Sequence, residues 1–188
     1  MTQKNGSEVQ GCDRVRFSVP ENQLVALMLA RRLEASAGIT ALDKRGSADS
    51  LSYAQLYQRA AQLCAGLQSE GLCPGDRLVF QLAGTLDVII GFWGCILAGV
   101  VPVPLNIAPF YDRPNSQSDR LVSAIERFKC RAILASATLC KPIEELLSTL
   151  EGATCAVVDF EHCLAETGAP KIHKPSPDDP AAMFLTSG

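Results

Sequence analysis

The sequence lacks the short patterns that most often mark a catalytic site. It has no G-x-S-x-G elbow, no G-x-x-x-x-G-K-[ST] loop, no G-x-G-x-x-G fingerprint and no H-E-x-x-H pair in 188 residues. Those absences argue against hydrolase-elbow, P-loop, dinucleotide-fingerprint and zincin chemistry. Neither sign of charge dominates: seventeen Lys and Arg stand against twenty Asp and Glu, a net charge of -3. Without a basic stripe, a nucleic-acid partner is not expected. The eight cysteines include no C-x-x-C pair, so a structural zinc site of the usual spacing has no support. Repeats, heptads and low-complexity tracts are also missing. Residues 1–11 are polar and contain no apolar central region, so no signal peptide is expected.

What is present fits an ordinary globular protein, with 47% hydrophobic and 20% charged residues. A chain of this length can bury roughly 70% of its unfolded surface as one domain. Cys64, Cys95 and Cys155 fall in apolar stretches, where a thiol behaves as a small hydrophobe. The eight cysteines are therefore read as reduced and the protein as cytoplasmic. Residues 88–110 carry no charge and are long enough to cross a bilayer. Pro102, Pro104 and Pro109, together with Gly99, break that run into a buried helix at 86–98 and a buried strand at 100–105. No membrane span is expected.

The remaining chain reads as alternating elements. Residues 1–20 form a loose N-terminal arm and 21–37 a helix ending at Gly38. Strands at 39–44 and 51–53 make a hairpin around the polar loop 45–50. Residues 54–72 form the clearest amphipathic helix, with Leu56, Ala60, Leu63 and Leu67 on one stripe. A turn at Pro74, Gly75 and Asp76 leads to a strand at 77–82. Gly91, Gly94, Cys95 and Ala98 in the 86–98 helix would let neighbouring backbones approach closely. After a polar loop, Ser116 or Ser118 caps a helix carrying Leu121, Ile125 and Phe128. A strand at 131–136, a helix at 142–150, a strand at 155–160, a turn-rich connector at 165–180 and an apolar run at 181–185 complete the series. Alternation of this kind implies an α/β fold, a largely parallel sheet with helices on both faces. The one domain, 21–188, shows no firm internal boundary.

Candidate chemistry is sparse. His162 and Cys163 are sequence neighbours, and on a strand neighbours point to opposite faces, so they make a poor nucleophile–base pair. His162 and His173 are read as solvated loop residues. Asp178 and Asp179 before Pro180 shape a turn, and Asp112, Asp119 and Glu126 are solvated. The run at 181–185 ends in Thr186, Ser187 and Gly188; hydroxyls and backbone N–H groups at the end of a strand can receive an anionic phosphate.

Three segments together give that tripeptide more weight. Residues 51–56 (LSYAQL), 97–105 (LAGVVPVPL) and 184–188 (FLTSG) resemble, in order and spacing, the first three core motifs of adenylate-forming enzymes. This superfamily comprises acyl-CoA synthetases, fatty acyl-AMP ligases and peptide synthetase adenylation domains. The resemblance runs from about residue 21 to 188 and includes Gly75, Asp76 and Arg77. Residues 91–99, 102–109 and 111–115 look most like adenylation domains of mixed peptide–polyketide synthetases. The resemblance implies activation of a carboxylic or amino acid as acyl-AMP at the expense of ATP. The acyl group then passes to the pantetheine thiol of an acyl or peptidyl carrier protein, or to coenzyme A. Thr186, Ser187 and Gly188 would begin the loop that holds the β- and γ-phosphates, with Mg²⁺ screening their charge. In the family that loop continues with Ser or Thr, Thr, Gly, a variable residue, Pro, Lys and Gly. The sequence stops inside it, so the resemblance also implies a truncated domain, dependent on the remainder of the adenylation domain and inactive alone. A non-catalytic binding or scaffold module that keeps the adenylation-type fold is the alternative. An unrelated doubly wound nucleotide-binding protein would need a phosphate loop elsewhere, and none is found.

Overall fold

The structure, a computed structural model, describes residues 24–42, 46, 48–150 and 154–185. The expected arm at 1–20 lies outside the described residues. Helix α1 spans Leu24–Arg31 and stops short of the expected 37. The carbonyls of Glu34 and Ala37 instead accept the N–H groups of Ala54 and Tyr53, which ties the segment to the start of the next helix. Strands β1 (Gly38–Leu42) and β2 (Ala48–Ser52) pair antiparallel as the expected hairpin. Helix α2 (Tyr53–Ser69) opens with a capping box in which Ser52 Oγ accepts the Gln55 N–H while the Gln55 side chain accepts the Ser52 N–H. Leu56, Ala60, Leu63 and Leu67 are all buried along its stripe.

The main sheet contains β3 (Arg77–Gln81), β4 (Val101–Pro104), β5 (Ala132–Ala135) and β6 (Ala156–Asp159), all parallel, in the order β4-β3-β5-β6. Three crossover helices connect them: α3 (Thr85–Ala98), α4 (Ser116–Phe128) and α5 (Ala137–Ser148). A short sixth helix, α6 (Phe160–Leu164), follows β6. Alternation along the strands divides the core in two. Leu78 and Phe80 of β3, with Leu134 of β5, face a cluster built from α1, α2, α3 and α6. Val79, Val103 and Ile133 face Leu121 and Ile125 of α4 and Ile143 and Leu147 of α5. Helices therefore cover both faces of a parallel sheet, as the alternation implies.

Small residues bring α2 close to its neighbours. A Cβ on Gly94 of α3 would lie 2.6 Å from Leu63 Cδ2, and one on Gly66 would collide with the Cys163 backbone of α6. Several boundaries differ from expectation. Asn115, not Ser116 or Ser118, caps α4: its Oδ1 accepts the N–H groups of Gln117 and Ser118. Helix α5 starts at Ala137 and carries Pro142 inside it, because the Ser136 turn at the end of β5 nucleates the helix before the proline is reached. Phe160, expected as the end of the strand at 155–160, instead opens helix 160–164, where the Asp159 carboxylate accepts the His162 N–H.

The run at 181–185 is not a strand, and β4 itself supplies the reason. Val101 N–H donates inward to Asp76, so the alternate residues Pro102 and Pro104 turn toward the outer edge, where they offer no donor. The run makes a backbone bond there from Met183 N–H to the Pro102 carbonyl, 3.0 Å.

Candidate functional site

In an open parallel sheet, ligands gather at the carboxyl ends of the strands where the winding reverses. Here that place lies between β3 and β5, whose following helices α3 and α5 pass to opposite faces. The crevice is closed by the chain's own bonds. Ser136 N–H donates to the Gln81 carbonyl, 3.1 Å, and Ser136 Oγ accepts the Ala83 N–H, 3.1 Å. The Ala137 N–H at the start of α5 is taken by the Glu161 carboxylate, 2.8 Å. Beside it Gln81 is wholly buried. Its Oε1 accepts the Tyr111 hydroxyl at 2.6 Å, and its Nε2 donates to the Phe80 and Asn106 carbonyls at 2.7 and 3.4 Å. Burial pushes the Tyr111 hydroxyl above its usual pKa, so it stays a donor and fixes loop 105–115 to the sheet.

The connector at 165–185 is an extended strap that runs across α2 and α3 to the edge of β4. The Gln68 side-chain amide clamps Lys171 at both backbone groups, 2.7 and 3.0 Å. His173 N–H donates to the Leu97 carbonyl, 2.8 Å. Pro180 and Ala181 line a 490 Å³ cavity with Gly99, Val100, Val101 and His173. The Met183 bond to Pro102 follows, so 180–185 travels along β4 in that strand's own direction. Phe184 is 68% exposed at the end of this run. Thr186, Ser187 and Gly188, the expected phosphate-loop residues, lie outside the described residues.

The other expectations resolve as follows. His162 and Cys163 sit on α6, not on a strand; His162 is exposed and Cys163 buried, so they still form no catalytic pair. His173 is not a solvated loop residue. Its side chain is 24% exposed, rests against Gly99 and pairs with Asp179 at 3.6 Å. Asp179 also accepts the Ser176 N–H, 2.7 Å, which makes the expected turn. Asp112, Asp119 and Glu126 are exposed. The seven described cysteines are free thiols. Burial pushes Cys64 and Cys163 up to about 12, so they are packing groups, not nucleophiles. Among the described residues no group of three His, Cys, Asp or Glu side chains could hold a metal ion. No described helix is long and apolar enough to cross a membrane. Sequence reasoning missed Gln81, Ser136 and Glu161; the one signal was a lone Gln closing the apolar run of β3.

A family model described as AMP-binding enzyme matches residues 29–188. The chain belongs to the AMP-binding enzyme family. Among curated members, the long-chain-fatty-acid–AMP ligase FadD26 of Mycobacterium tuberculosis is 31% identical over 116 residues, 62% of this chain and 19% of that protein. Among solved structures, McyG A-PCP complexed with phenylalanyl-adenylate superposes with a TM-score of 0.80 at 28% identity, covering 88% of this chain and 30% of that one. An adenylation domain of a keto acid-selecting NRPS module, bound to keto acyl adenylate, gives 0.78 at 26% identity, over 87% and 30%. The chain thus spans less than a third of each of these AMP-binding relatives. The described residues do not by themselves fit a triphosphate with its Mg²⁺. At the switch point the Ser136 N–H, Ser136 Oγ and Ala137 N–H are already engaged, and the metal-ligand grouping is missing among the described residues.

Proposed function

We propose that residues 21–188 are the N-terminal portion of an adenylation domain, with the phosphate-binding loop beginning at Thr186, Ser187 and Gly188. The complete protein activates a carboxylic or amino acid as acyl-AMP, using ATP with Mg²⁺. It then passes the acyl group to a pantetheine thiol on a carrier protein or coenzyme A. The observation that carries this reading is the family match over 29–188, which runs through the strap and into the tripeptide. The course of 180–185 along β4 supports it, since it carries the chain toward the carboxyl end of the sheet, where ligands of such sheets bind. The carrier-protein acceptor is supported by the likeness to a chain solved as A-PCP. A cytoplasmic setting is supported by Cys64, Cys95 and Cys163 packed as core hydrophobes.

The test is ATP–pyrophosphate exchange by the complete protein, offered one long-chain fatty acid, one keto acid and phenylalanine in turn. Exchange that depends on one of these acids is expected. The isolated 188-residue chain is expected to stay at the no-protein background. Exchange catalysed by that chain alone would overturn the division proposed here, and a complete protein inert toward every acid would overturn the activity.

A further inference from the structure

We infer that the groove between α4 and α5 is a docking site for a cationic amphipathic helix of a partner chain. Both helices carry apolar side chains that the sheet does not fully cover. On α4, Leu121 and Ile125 enter the core with Val79, Val103 and Ile133, whereas Val122 turns into the groove, half-buried. On α5, Ile143 and Leu147 enter that core. Leu139, Pro142 and Leu146 of the same helix line the groove at helical spacing, also half-buried. With Phe110 from loop 108–114 they floor a space of 930 Å³. The opposite face of the sheet shows what such a pair of helices accepts. There α2 lies over α3 and α6, with Leu63 against Gly94 and Gly66 against Cys163. Among the described residues no helix takes that place across α4 and α5. Helices α4 and α5 have 13 and 12 residues, so a helix of three to four turns, about 20 Å long, spans the groove.

Charge narrows the occupant. Asp119 on α4, Glu145 on α5 and Asp112 on the loop stand around the floor, all three exposed. Among the described residues neither Asp112 nor Asp119 has an ion pair, and Glu145 meets Lys141 at 4.0 Å with both side chains well exposed. The lining holds one cation, Arg113, whose guanidinium lies over the Phe110 ring at 4.1 Å. Arg120 and Arg127 of α4 are outside the lining, because they project more than about 130° around the helix from Val122. The groove is therefore apolar at its floor and anionic on both banks. A helix with a leucine stripe facing down and Lys or Arg flanking that stripe satisfies both at once. An acidic helix could cover the same floor only by setting like charges against Asp119 and Glu145.

The experiment uses the complete protein and synthetic peptides of about fourteen residues. One carries a helical stripe of Leu flanked by Lys, a twin has Glu in place of every Lys, and a third has Ser in place of every Leu. Affinity is read by fluorescence anisotropy and the place of binding by amide hydrogen exchange. The Leu–Lys peptide is expected to bind with a Kd of about 10 µM at low salt and to slow exchange in α4 and α5. Raising salt to about 0.5 M should weaken it about tenfold. The Glu twin should bind about tenfold less tightly still at low salt, and the Ser peptide should show no saturable binding. D119K/E145K should reverse the preference between the Lys and Glu peptides, which a merely misfolded variant cannot do. Equal affinity for the two, a preference that the double variant fails to reverse, saturable binding of the Ser peptide, or protection outside α4 and α5 overturns the inference. So does a failure of the Leu–Lys peptide to bind. Alkylation of Val122→Cys then tells what stands there instead. Resistance to the reagent means that the same polypeptide covers the groove, and ready reaction means that the groove takes no helix of this kind.

Discussion

The two faces of the parallel sheet are finished differently. On one, α3, α2 and α6 lie side by side at distances set by glycine: Gly94 admits Leu63, and Gly66 admits the Cys163 backbone. On the other, α4 and α5 stand apart, and loop 108–114 completes a groove of 930 Å³ lined by Phe110, Val122, Leu139, Pro142 and Leu146. The first face is closed by small residues that leave no room for rearrangement. The second is covered by branched and cyclic side chains that meet less completely. The two faces thus differ in tolerance, because the cost of a change depends on whether the site can relax.

The contrast is broken most directly by truncation. Leu63→Ala, deep in the glycine-closed face, should lower stability by about 4 kcal/mol, and Leu147→Ala, at the margin of the other, by about 2 kcal/mol; urea midpoints at constant m-value check both. Enlargement should invert the usual order of harm. Gly66→Ala would meet backbone and should cost about 3 kcal/mol, whereas Val122→Leu points into the groove and should stay within about 0.5 kcal/mol. Equal losses in that second pair would remove the distinction between the faces.

Titration gives a third test. Cys64 and Cys163 are pushed up to about 12 by burial, and Cys95 is raised well above its usual 9.0, first by burial and then by its two neighbours. Unfolding would release these thiols to ionise near 9, so above that pH the unfolded chain holds fewer protons than the native one. Stability is therefore complete below about pH 9 and falls as pH rises toward 12. Both faces contribute to that fall, since on the other face burial pushes Cys155 up to about 12 and Cys130 up to about 11. The alkaline slope of Tm should flatten more in C64A/C163A than in C130A. Modest effects are expected at the caps. Ser52→Ala on α2 and Asn115→Ala on α4 should each cost about 1 kcal/mol, measured by the same denaturant series.

How legible the chain was follows the same physics. Helix α2 was readable because its stripe of Leu56, Ala60, Leu63 and Leu67 sits on one buried side, and periodicity reports that directly. The strand–helix order was readable because each strand of the main sheet is a short apolar run bounded by turn residues. Helix α6 was not: it is five residues long, and its first residue, Phe160, falls two positions after Val158 and so continues the alternation of β6. The start of α5 was misplaced because Pro142 resembles a helix opener, while the Ser136 turn that opens the helix is held by Gln81 and Ala83, distant in sequence. The same distance hid the pairing of Gln81 with Tyr111. The proposed phosphate contacts had to be read from motif order, since three small residues carry no pattern of their own.

Pro102 and Pro104 have a further consequence for how the molecule meets others. An edge strand is a template on which foreign chains can add, and aggregation begins there. Along β4 every second residue faces outward, and these are Pro102 and Pro104, which carry no donor, so an incoming strand would find a broken row of partners. The other outer strand of the main sheet, β6, has no such interruption in Ala156–Asp159. The interrupted row makes β4 the poorer of the two outer strands as a template for a foreign chain.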